Sequence, residues 1–173
     1  MCGNAKISSA DWLVLGAVQI MIGIFHVLMW YFLLVLYMGQ IKGVFGTYEP
    51  LTYKAGCAFW GIFFVISGVT ILRTTKRPSR YSAICALTTN IFCTIITLIA
   101  LTLTIIELST FHTVSYRNYG QAKLGREVSR IFLFSYPLEF CIALVYSIIN
   151  CRHMGERQEE NLTSISEEVE TAL

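Results

Sequence analysis

From Trp12 to Ile41 the chain runs for thirty residues with no ionisable side chain except His26 and the tyrosines, closed by Asp11 on one side and Lys42 on the other. A helix rises 1.5 Å per residue, and about 20 apolar residues cross the hydrocarbon core of a bilayer, so this stretch is long enough to span a membrane. The positions that are not simple aliphatics are ordered. Gly16, Gln19, Gly23, His26 and Trp30 recur at spacings of three, four, three and four, which places them on one helical face. In lipid, small residues let a second helix approach and polar groups seek protein partners, so this face is expected to point into a bundle. Leu15, Ile22, Ile24, Leu28, Phe32 and Leu33 are expected to face lipid.

Three more apolar stretches follow. Ala55–Leu72 and Tyr81–Ile106 carry no Asp, Glu, Lys or Arg, and Ile131–Asn150 carries only Glu139. The expected spans are therefore about 12–38, 55–72, 81–106 and 131–150. They lie between a short N-terminal segment, 1–11, and a tail, 151–173. Together 12–150 make one membrane domain, and the fold class is an all-α integral membrane four-helix bundle. Composition agrees: 55% apolar and 14% charged residues stand against roughly 45–50% and 25% in soluble domains. A net charge of +2 gives no electrostatic footprint for nucleic acid. The first apolar stretch is too long for a signal-peptide core and has no small-residue cleavage site after it.

The loops differ in character. Residues 39–54 hold Gly39, Gly43, Gly46 and Pro50 and read as an outer loop. Arg73, Lys76, Arg77 and Arg80 surround Pro78 in a tight basic turn. Residues 107–130 form the second outer loop, with a short surface helix expected over 121–129. The tail holds six glutamates and few apolar residues, so disorder is expected there. Basic residues divide almost evenly between the two sides. The density of the 73–80 cluster near span ends places both termini in the cytosol.

Cys57, Cys85, Cys93 and Cys141 fall within apolar stretches, and no C-x-x-C pair is present. A disulfide framework, a zinc site and a bound cofactor are therefore not expected. Cys2 and Cys151 sit at the cytosolic boundary and are candidates for palmitoylation. The third span is rich in threonine, whose hydroxyl can bond back to its own helix.

Glu139 is the residue most in need of a partner. A charged side chain at the bilayer centre costs at least ~2.5 kcal/mol on insertion scales, so Glu139 should face protein or water. Counting 1.5 Å per residue from the inner span ends, Gln19 lies ~12 Å deep, Asn90 ~15 Å, Glu139 ~20 Å and His26 ~22 Å. Four polar groups from three helices thus fall in one layer, and an intramembrane polar cluster of Gln19, His26, Asn90 and Glu139 is expected. Its bland role is to fix helix register, since interhelical hydrogen bonds are worth ~0.6–2 kcal/mol. Its sharper role would be proton or cation sensing. Pro137 removes a hydrogen bond from the fourth span and should kink it. No nucleophile–base pair or metal-ligand set stands in the spans, so no enzyme is expected.

Residues 15–23, Leu-Gly-Ala-Val-Gln-Ile-Met-Ile-Gly, resemble the first-span signature of the membrane-spanning four-domain subfamily A, which includes the B-lymphocyte tetraspan antigen and the IgE receptor beta chain. Phe59-Trp60-Gly61 followed by Ser67-Gly68, then Asn90, then Leu138-Glu139-Phe140-Cys141-Ile142-Ala143 resemble its second, third and fourth spans. The resemblance covers about residues 12–151. It implies a four-helix membrane bundle with cytosolic termini, and packing roles for Gly16, Gln19, Gly23, Gly61, Gly68, Asn90 and Glu139. It also implies a non-enzymatic subunit or modulator of a cell-surface receptor complex, forming homo-oligomers or joining other receptor subunits in the plasma membrane. The alternative it implies is a component or regulator of a cation channel, or a ligand sensor. Two departures stand out: several members hold a disulfide in the outer loop, where 107–130 has no cysteine here, and the receptor-like beta chain carries a tyrosine motif in its tail, where 152–173 has no tyrosine here.

Overall fold

The structure, a computed structural model, describes residues 8–38, 51–54, 56–110 and 119–171. Everything with regular structure among them is helical: α1 (Ser9–Met38), the single turn α2 (Leu51–Lys54), α3 (Cys57–Lys76), α4 (Arg80–Thr110) and α5 (Tyr119–Thr171). By length and composition, Ser9–Leu36, Arg80–Ser109 and Lys123–Ser164 are each long and apolar enough to cross a bilayer. α3 carries the shorter uncharged stretch that ends at Leu72.

The four long helices form a closed ring with neighbours antiparallel. α1 packs most extensively on α3, and α4 on α5; α3 against α4 and α1 against α5 complete the circle. The pairings fix the directions. Gly16 and Gly23 of α1 face Gly68 and Gly61 of α3 in reverse order. Thr74 and Thr70 of α3 meet Ser82 and Thr89 of α4. Asn150 and Ser129 of α5 bond Ala83 and Glu107 of α4. The result is an up-down-up-down bundle.

The α1–α3 seam depends on missing side chains. A Cβ built on Gly23 would stand 2.6 Å from the carbonyl oxygen of Gly61, and one on Gly61 would stand 2.6 Å from that of Gly23. A Cβ on Gly68 would meet the Gly16 carbonyl at 2.6 Å, and one on Gly16 would meet the Gly68 carbonyl at 3.1 Å. Both members of each pair recur after seven residues, so the backbones touch at two points two turns apart. A seven-residue spacing keeps a seam in register over that distance. The close approach favours Cα–H···O contacts and dispersion, the forces that remain once lipid has removed the hydrophobic drive between helices.

The outer surface is apolar. Ile24, Leu28 and Phe32 of α1, Ile95, Leu98 and Ile99 of α4, and Phe134, Leu138 and Ile148 of α5 are exposed. Ile22 and Leu33, expected to face lipid, are instead buried in the core cluster with Phe64, Phe132 and Tyr136. The reason is that α1 touches both α3 and α5, so it buries a wider arc than one stripe. The hydroxyls of Thr88, Thr94, Thr97, Thr102 and Thr104 each donate to the carbonyl four residues back, which leaves α4 without a polar cost in lipid.

Three boundaries differ from the sequence reading. The segment expected as the second outer loop is shorter, because α4 runs to Thr110 and α5 begins at Tyr119. Its rim is tied by the Ser129 hydroxyl, which donates to the buried Glu107 carboxylate at 2.7 Å. The segment expected as a separate surface helix is continuous with the fourth span, and Pro137 lies inside that same helix. The tail, expected to be disordered, continues α5 to Thr171. Its glutamates, Arg157, Met154 and Gln158 are good helix formers, and a preformed helix spares the tail the cost of nucleation. Residues 1–7 and 39–50 of the expected N-terminal segment and first outer loop lie outside the described residues; at its end the loop forms the α2 turn.

Gly23→Ala is expected to destabilise the bundle by about 1–3 kcal/mol, the usual cost of overpacking, because the added Cβ would strike two backbone atoms, the Gly61 carbonyl oxygen and the Val65 nitrogen, besides a Val65 methyl. Gly155→Ala, which would meet nothing, should be neutral or stabilising by up to about 1 kcal/mol. Thermal unfolding in a mild detergent measures both.

Candidate functional site: the polar layer of the bundle

α1, α3, α4 and α5 each place polar side chains at the centre of the ring. Gln19, His26, Ser67, Asn90 and Glu139 are all fully buried. Gln19 is the junction. Its Nε2 donates to Glu139 Oε1 at 2.6 Å and to Asn90 Oδ1 at 3.3 Å. An amide nitrogen has two hydrogens, so both are used, one toward each partner helix. Asn90 in turn donates from Nδ2 to the Ala86 carbonyl at 2.8 Å, which anchors its side chain to its own helix. Three helices are thereby joined through one amide.

α3 reaches the layer through Ser67. Cys93, buried on α4, donates its thiol to the Phe63 carbonyl of α3 at 3.6 Å. Three oxygens in the layer make no regular hydrogen bond to another protein group: Gln19 Oε1, Ser67 Oγ and Glu139 Oε2. Among the described residues no set of three or more His, Cys, Asp and Glu side chains is placed to hold a metal.

His26 does not bond Gln19, Asn90 or Glu139. Its Nδ1 lies 2.8 Å from the Ile22 carbonyl. A carbonyl can only accept, so Nδ1 carries the proton and Nε2 is left as an acceptor. The Ser135 hydroxyl lies 3.1 Å from Nε2 and donates to it. The ring is stacked on Phe132 at 4.9 Å and 8°, with Tyr136 at 4.9 Å and Phe64 edge-on at 5.4 Å. His26 therefore occupies an aromatic box one turn along α5 from Glu139. The polar layer has two storeys, Gln19–Asn90–Glu139 and His26–Ser135. Ser135 and Cys93 carried no signal of this role in the sequence, and Ser67 entered only through the Ser67-Gly68 motif, since a single hydroxyl or thiol in an apolar helix is as well satisfied by its own backbone.

The remaining sequence candidates lie apart. Gly16, Gly23, Gly61 and Gly68 line the α1–α3 seam beside the layer. Cys151 is an exposed free thiol on α5, beyond the last buried turn, and Cys2 is outside the described residues. Trp30 is partly buried against the core.

Comparison with known proteins accounts for this arrangement. The model of the CD20-like family matches residues 14–131, which include the α1–α3 seam, Gln19, His26 and Asn90. The chain is 66% identical to membrane-spanning 4-domains subfamily A member 13 of Homo sapiens, over 87% of this chain and 99% of that protein. It is 65% identical to the same member of Mus musculus, over 88% of this chain and 75% of that protein. Member 8 of Homo sapiens is 30% identical over 80% of this chain and 55% of its own length. A four-helix membrane bundle with a buried polar layer, matched along most of its length, makes this chain a multi-pass membrane protein of the CD20-like family.

Proposed function

We propose that the chain is a non-enzymatic subunit or modulator of a cell-surface signalling complex, held in the plasma membrane with both termini in the cytosol. The observation that carries this reading is the packing of the interior. The seam between α1 and α3 is closed backbone to backbone, and the polar groups at the centre bond mainly to one another within a shell of Phe64, Phe132 and Tyr136. Such an interior supports a scaffold. What the molecule offers to others is its apolar lateral surface, its loops and the α5 extension. In this reading Gln19, His26, Asn90 and Glu139 fix the register of the helices, and Gly16, Gly23, Gly61 and Gly68 set their distance. The lateral surface is where a second copy or another membrane subunit docks.

A second reading is a component or regulator of a cation pathway. It is favoured by Gln19 Oε1, Ser67 Oγ and Glu139 Oε2, three buried oxygens without a protein donor.

Two measurements separate these roles. Glu139→Leu should destabilise the bundle by about 1–3 kcal/mol, because it strands a buried donor on Gln19. Glu139→Gln keeps an acceptor in place and should cost less than about 1 kcal/mol. Thermal unfolding and size-exclusion profiles in mild detergent report both, and equal losses would remove the register role. Cross-linking in native membranes, followed by mild solubilisation and mass spectrometry, should recover a second membrane protein at fixed ratio. Recovery of a homo-oligomer alone, with liposome cation flux abolished by Glu139→Gln, would instead establish the second reading.

A further inference from the structure

The first and third apolar stretches begin, and the second and fourth end, on the same side of the bundle, and a cavity of about 710 Å³ opens there. Its walls come from the start of α1, the α3–α4 turn and the part of α5 that leaves the bundle. Trp12 and Tyr146 form its floor, edge to face with centroids 5.1 Å apart. Asn150 closes one side by donating to the Ala83 carbonyl at 3.2 Å. The charged residues lining it are Arg80 and Arg157, His153 lines it too, and none of the lining residues is acidic. Ser9, Thr74, Thr75, Ser79 and Gln158 add neutral polar groups to the lining.

Position narrows what such a cavity can hold. Trp12 is the first residue of the first uncharged stretch, Arg80 immediately precedes the third, and Asn150 ends the fourth. The cavity therefore opens at the level where a bilayer changes from hydrocarbon to headgroups. An aromatic floor is what side chains at that level use, with one end apolar and the other wet. Ile84 lines the cavity and is 51% exposed on the outer surface, so the site is continuous with the lipid-facing side. Arg73, Lys76 and Arg77 are exposed on the adjoining helix end and turn and add to the positive field. α1 and α4 also begin here while α3 ends here, so the positive ends of two helix dipoles stand against the negative end of one. A volume of this size falls in the range of sites for small molecules. Arginine forms bidentate, charge-assisted bonds to phosphate.

We propose that this cavity binds the phosphorylated headgroup of an anionic membrane phospholipid, with Arg80 and Arg157 on the phosphate, His153 and Ser79 beside it, and the acyl chains running out past Ile84. The site lies at the other end of α1 and α5 from the outer loops and is separate from the polar layer. It does not depend on the chain's being a receptor subunit. Basic pockets between helices at the headgroup level are suited to such lipids.

The test uses the full chain in phosphatidylcholine nanodiscs containing a minor fraction of phosphatidylinositol bisphosphate or phosphatidylserine. Lipids retained after gentle release are counted by native mass spectrometry. Anionic lipid should be retained in preference to phosphatidylcholine. Arg80→Gln should lower that retention about tenfold, the loss of one charge-assisted bond. Arg77→Gln removes the same charge from the same turn but does not line the cavity, and should lower retention no more than about twofold. Arg80 is exposed, so an unchanged thermal unfolding midpoint verifies that the variant is folded. Equal losses from the two variants would mean diffuse attraction and would overturn the site. So would the absence of preference for anionic lipid. Soluble inositol trisphosphate displacing the lipid at equal concentration would overturn the lipid as its occupant in favour of a free phosphate ligand.

Discussion

A single amide holds the centre of this bundle together. Gln19 has two donor hydrogens and sends one to Glu139 on α5 and one to Asn90 on α4. In hydrocarbon no water competes for those bonds, and no water compensates if they are lost. The polar layer is therefore a constraint on the whole ring. Sliding α5 by one turn would carry Glu139 away from Gln19 and leave either Ala143 or the short Ser135 side chain against the amide. The glycine seam does the complementary work on the other side of α1. It brings α3 near enough for backbone to touch backbone, which presents Ser67 to the same layer. Distance is set by what the glycines lack, and register by what the polar residues must have.

The two kinds of contact divide the interior by chemistry. Along α1 and α3 the packing is tight and non-directional, so it resists added volume. At the layer the contacts are directional, so they resist loss of a partner. The aromatic box around His26 combines both: the ring is clamped by Phe132, Tyr136 and Phe64 while its two nitrogens are committed to the Ile22 carbonyl and the Ser135 hydroxyl. At the ends of the bundle the chemistry changes. One end is tied by Glu107 and Ser129. The other gathers arginines, an aromatic floor and the α5 extension around an open cavity.

Much of this could be read before any coordinates. Four uncharged stretches of helical length demand a membrane bundle, and the family follows from short motifs within them. The faces of α1 and α3 were legible because glycine and polar residues recur at three and four in otherwise aliphatic surroundings. Other features were hidden for physical reasons. Ile22 and Leu33 look like lipid-facing residues because lipid and a protein core select the same side chains. Ser135 and Cys93 are silent as members of the site because a small polar group in an apolar helix can be satisfied by its own backbone, and only the structure shows that they reach His26 and Phe63. The continuity of α5 was obscured because Pro137 and the polar Glu127–Arg130 segment resemble breaks, while the helix that contains them is held by packing on α4.

The sequence by itself determined that the chain lies in a membrane, that it does so as a bundle of long apolar helices, and which polar residues cannot face lipid. Those properties follow from local composition and from the helical period, which every residue feels through its neighbours. Tertiary structure alone decided which polar group meets which. Gln19 bonds Glu139 across 120 positions and His26 meets Ser135 across 109, and no local rule distinguishes these pairings from His26 with Glu139. The same holds for the cavity under the α3–α4 turn, whose walls come from three separate stretches. Such contacts are fixed by how far each helix is shifted along its neighbour, and that shift is a compromise among all the faces at once.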